Sequence, residues 1–100
     1  MKATVENIVD WTSENGDDQI GHTKVTTPTG YIFATWKCEG GMGGGVDVLE
    51  NTTDEFDDDE AWQLLDSPSI YWGHGVYAGE IERDRGHFDL VNVDWVKTEE

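Results

Sequence analysis

One hundred residues leave room for one small domain, residues 1–100, and its 21 Leu, Ile, Val and Phe side chains allow only a thin core, filled out by eleven aromatics. Twenty-two acids against six bases give a net charge of −16, which repels phosphate backbones and anionic membranes. Direct nucleic-acid binding and membrane binding are therefore excluded, and the implied partner is basic. A lone cysteine, Cys38, excludes an intrachain disulfide framework. With no apolar run near the roughly 20 residues of a membrane helix and no apolar leader segment, a cytoplasmic location is expected.

In chain order, residues 3–11 fit two patterns. Val5, Ile8, Val9 and Thr12 form a helical stripe with Thr4 as N-cap and Gly16 beyond the end, whereas Ala3, Val5, Val9 and Trp11 alternate as a strand would. The short helix is the favoured expectation. Ile20–Thr27 and Tyr31–Cys38 then flank Thr27-Pro28-Thr29-Gly30, a hairpin signal with proline at the second turn position. Ile32, Ala34, Trp36 and Cys38 share one face of the second strand, which places Cys38 in the core as an inert thiol.

The glycine run Gly40–Gly45 satisfies neither phosphate-loop spacing nor GxGxxG, and it reads as a flexible connection before a short strand, Val46–Leu49. Phe56-Asp57-Asp58-Asp59-Glu60-Ala61 carries a helix start. Asp57 is placed to cap, Glu60 to reach back three residues later, and Phe56 and Ala61 to form a hydrophobic staple. Acidic side chains in that first turn suit the positive end of the helix dipole. Ser67-Pro68 should stop the helix, with Ala61, Trp62 and Leu65 facing the core. Val76–Arg83 and His87–Lys97 flank Arg83-Asp84-Arg85-Gly86 as a second hairpin. On its last strand Val91, Val93 and Trp95 line one face, and Phe88, Leu90 and Val96 the other. The expected fold is α+β: an antiparallel sheet of two hairpins plus a short strand, with one or two short helices. Trp36, Trp62 and Trp95 are expected in the core.

Catalytic signatures are missing. His22, His74 and His87 are scattered, no CxxC or HxxxH pair exists, and no serine sits in a nucleophile elbow. Gly73-His74-Gly75 reads as a bulge or turn. Asp54–Glu60 departs from a calcium loop because Asp59 stands where such a loop needs glycine. No enzyme activity, metal or cofactor is expected. The charge itself remains to be explained, since solubility needs a magnitude of only about 2–8. Residues 1–50 carry 8 acids and 3 bases, and residues 51–100 carry 14 and 3. The densest patch is Asp54, Glu55, Asp57, Asp58, Asp59 and Glu60.

Those residues form the candidate partner-binding site. Carboxylates three and four residues apart on a helix lie about 5–6 Å from one another, comparable in scale with phosphates along a strand. In size, acidity and lack of catalytic motifs the chain resembles small phage-encoded inhibitors of bacterial defence, including anti-CRISPR and anti-restriction proteins and inhibitors of uracil-DNA glycosylase. The resemblance lies in composition. It implies an acidic interaction protein that occupies the basic DNA- or RNA-binding surface of a host protein, such as a defence nuclease or CRISPR effector, in the infected cell's cytoplasm. The alternative is a halophilic housekeeping or binding domain, whose acids, scarce lysine and frequent Val and Thr are an adaptation to salt.

Overall fold

The computed structural model describes residues 1–40, 43–66, 70, 73–84 and 87–97. Six strands, β1 (Lys2–Thr12), β2 (Asp18–Thr27), β3 (Gly30–Glu39), β4 (Gly43–Asn51), β5 (Gly75–Asp84) and β6 (His87–Lys97), form one sheet. Its order is β4-β3-β2-β1-β5-β6, and every pairing is antiparallel. The helix α1 (Asp58–Leu65) is the only one among the described residues. The expected α+β fold of two hairpins and a short strand is thus overturned: the protein is nearly all sheet.

The largest departure is β1, which lies inside the sheet between β2 and β5, whereas the apolar stripe of residues 3–12 predicts a short helix. Ala3, Val5 and Asn7 are buried in alternation while Thr4 and Glu6 face out. A register shift between Val9 and Trp11 then changes the phase. That extra residue leaves Ile8 and Val9 both half-buried and imitates a helical stripe. Ladders on two sides and a run of β-branched side chains decide for the strand.

Both expected hairpins form, β2–β3 through a pairing of Thr27 with Gly30 and β5–β6. The expected connection at Gly40–Gly45 is corrected in part, because Gly43, Gly44 and Gly45 belong to β4 and pair with Glu39, Cys38 and Lys37. Gly44 is required there, since a Cβ would come within 1.9 Å of the Lys37 carbonyl oxygen. Residues 41 and 42, Ser67-Pro68 and the Arg85-Gly86 part of the second turn lie outside the described residues.

Helix α1 packs against both β4 and β6, the two outermost strands. Five strand spacings of about 4.8 Å would hold the edges of a flat sheet some 24 Å apart, and a helix is only about 10–12 Å across. The sheet is therefore curled, and α1 packs on its inner side, where Ala61, Leu64 and Leu65 join the core. Inside lie Val5, Val25, Ile32, Ala34, Ala61, Leu64 and Leu65, all fully buried, with Phe56, Tyr77, Ile81, Phe88 and Leu90 around them. The radius of gyration, 13.1 Å, is that of a single domain of this length.

Three expected core residues are corrected. Cys38 is exposed, because its opposite neighbours are Gln19 and Gly44 and the helix ends at its C-cap, Asp66. Trp62 is 46% exposed, since the buried stripe of α1 is Ala61, Leu64 and Leu65. Trp95 is 53% exposed. On β6 the span from Leu90 to Trp95 opposes the shorter span from Ile81 to Tyr77, and Asn92 has φ 52°. The extra residue turns Trp95 onto the face of Leu90, with its ring 5.2 Å from Tyr77 and half of it left exposed. Trp36 is buried, as expected.

Candidate functional site

The acidic patch begins where β4 ends. Asn51 Oδ1 accepts from the backbone N–H and the hydroxyl of Thr53, and its Nδ2 donates to the Phe56 carbonyl at 2.8 Å. Thr52 donates its N–H to the Tyr31 carbonyl, and its Oγ1 accepts from Tyr31 N at 2.9 Å. The segment is thereby fastened to the β2–β3 turn. Glu55 adds to this, because its carboxylate accepts from the hydroxyls of Thr27 and Thr29. Nearby, the Tyr31 hydroxyl donates to the Glu50 carboxylate, and that bond raises the pKa of Tyr31 above the usual tyrosine value.

The capping box forms as the spacing predicts. Asp57 accepts from Glu60 N at 2.8 Å, and Glu60 accepts from Asp57 N at 3.1 Å. Phe56 and Ala61, the staple pair, are both buried. The second oxygen of Glu60 pairs with Arg83, whose guanidinium lies 4.7 Å from the centre of the Phe88 ring. Phe88 in turn meets Phe56 edge to face, ring centres 5.0 Å apart. The start of α1 is thus clamped against the β5–β6 hairpin.

The six predicted site residues do come together, with divided roles. Glu55, Asp57 and Glu60 hold the local structure. Asp54, Asp58 and Asp59 are exposed and not needed for the cap. Glu82 and Asp89 stand at the same end of the sheet, directly opposite one another on β5 and β6. Only the hairpin register sets these two side by side, and it turns them to the outer face, because Ile81, Phe88 and Leu90 next to them point into the core. Other carboxylates lie elsewhere. Glu14, Asp17, Asp18, Glu39 and Asp66 sit at the opposite end, where β2 and β4 begin and α1 stops.

Among the described residues no group of three or more His, Cys, Asp and Glu converges in a way that could hold a metal ion. His22 contacts Asp10 at 2.7 Å on the exposed face, and His74 Nδ1 accepts from Val9 N at 3.3 Å, beside the β1 irregularity. No described helix is long and apolar enough to cross a membrane. No family model, no curated protein and no solved structure matches the chain.

Proposed function

We propose that the protein is an acidic interaction module that acts by binding rather than catalysis. It occupies the basic nucleic-acid-binding surface of a cytoplasmic partner and so keeps DNA or RNA off it. The observation that carries this reading is the helix end. Asp54, Asp58 and Asp59 are presented on a platform fastened by the capping box, the Glu55 contacts and the Arg83 bridge. A rigid array of like charges loses little conformational freedom on docking, and it steers encounter with a Lys- and Arg-rich groove.

The test uses immobilised wild-type chain and a triple variant, Asp54→Asn, Asp58→Asn and Asp59→Asn, which leaves the capping box in place. Wild type is expected to retain proteins from lysate that themselves bind DNA or RNA. An excess of double-stranded oligonucleotide should release them, and the variant should retain much less. Retention that the oligonucleotide does not disturb, or that the variant preserves, rejects the reading.

A further inference from the structure

A sheet edge presents a row of unpaired N–H and C=O groups, and folded proteins normally blunt it with bulges, Lys or Pro. The two edges here differ. β6 carries two register irregularities against β5 and the positive φ of Asn92. β4 has one irregularity, opposite Phe33 and Ala34, and from Gly43 to Val48 it pairs with β3 without a break. Among the described residues the backbone of that stretch bonds to β3 alone. It contains no Lys, Arg or Pro.

Space lies on both sides of this segment. On the outer face a groove of about 560 Å³ runs past Ile20, Thr35, Lys37, Glu39 and Asp47. On the helix side a second groove of about 250 Å³ lies beside Trp36, Cys38 and Asp66. Gly44, Gly45 and Val46 line both. An incoming strand alternates its side chains up and down, so successive residues would enter the two grooves in turn. The charges select its chemistry. Asp47 and Glu39 stand on one side and Asp66 on the other, while the one cation, Lys37, is already paired with Glu39 at 2.7 Å. A second copy of a chain with net charge −16 is repelled from such an edge.

We propose that β4 from Gly43 to Val48 is a docking edge for an extended, Lys- or Arg-bearing segment of a partner protein, added as a further antiparallel strand. Backbone hydrogen bonds hold the segment, and the flanking carboxylates choose it. This surface lies apart from Asp54, Asp58 and Asp59 at the start of α1 and does not depend on their role.

The probe is a ten-residue peptide of alternating Lys and Val, titrated against the full chain with Asp54, Asp58 and Asp59 intact. A second peptide of the same sequence carries N-methyl groups on alternate amides, which keeps the charge and removes pairing. The unmodified peptide should bind and slow hydrogen exchange at Gly44–Val48, and the methylated one should bind about tenfold more weakly or worse. Gly45→Lys should abolish binding without loss of fold, because a Cβ there meets nothing within 4 Å. Asp47→Lys is the second variant, and circular dichroism checks both. Equal binding of the two peptides, no binding of either, or affinity unchanged in a folded variant overturns the proposal. So does concentration-dependent dimerisation that Gly45→Lys removes, which would assign the edge to a second copy.

Discussion

Trp36 illustrates what a single residue organises in so small a core. Its indole Nε1 donates to Asn7 Oδ1 at 2.8 Å, so the side chain reaches from β3 across β2 to β1. Gly21 makes the crossing possible, since a Cβ there would stand 2.3 Å from the ring and 2.2 Å from the Ile8 carbonyl oxygen. A buried amide deprived of its partner costs about 1–3 kcal/mol, and overpacking a filled core costs about the same. Trp36→Phe and Gly21→Ala are therefore each expected to destabilise by about 1–3 kcal/mol in chemical denaturation. A fully stable Gly21→Ala would mean that the indole does not lie across β2. None of this was legible in the sequence, because the bond joins residues 29 apart, whereas the Asp57–Glu60 cap spans three and was read in full. Cys38 shows the same limit, for alternation placed it on the inner face but only the length of α1 decides whether that face is covered there.

At the scale of elements, the errors have one physical source. Periodicity assumes an unbroken phase, and β1, β4 and β6 each contain an irregular step. From Lys2 to Asn7 β1 alternates cleanly, and next to the step the adjacent, half-buried Ile8 and Val9 imitate a helix. In β6 the same effect made both faces look apolar. For α1 the element and its start are legible, whereas the expected stripe of Ala61, Trp62 and Leu65 puts Trp62 inside in place of Leu64. Packing reverses that ranking, since Leu64 is fully buried and Trp62 is half exposed. Leu64→Ala should accordingly cost about 2–5 kcal/mol. Trp62→Ala should cost less than that, because about half of the residue already meets solvent. Thermal and denaturant unfolding of the two single variants decides the matter. A larger loss at Trp62 would mean that its ring seals the seam between α1 and a sheet edge.

For the whole molecule, charge opposes the fold while it serves the proposed partner. The acids crowd both ends of the curled sheet, and two of the few cations, Arg83 and Lys37, are already engaged with Glu60 and Glu39. Self-repulsion of the remaining carboxylates lowers stability in dilute buffer, and salt relieves it as the screening length falls from about 10 Å at 0.1 M to about 3 Å at 1 M. The same screening weakens attraction to a basic surface. The two effects run in opposite directions, so an interaction module should be folded at 0.1 M, gain some melting temperature as salt rises, and lose its partner over that range. A domain adapted to brine would instead be unfolded at 0.1 M, fold near 2 M, and gain binding along with structure. Circular dichroism and partner affinity recorded on one sample across this series separate the two. The buried residues set the expectation for dilute buffer: Val5, Val25, Ile32, Leu64 and Leu65 are apolar and fully buried, and their burial needs no charge screening, so a folded chain at 0.1 M is the expected outcome.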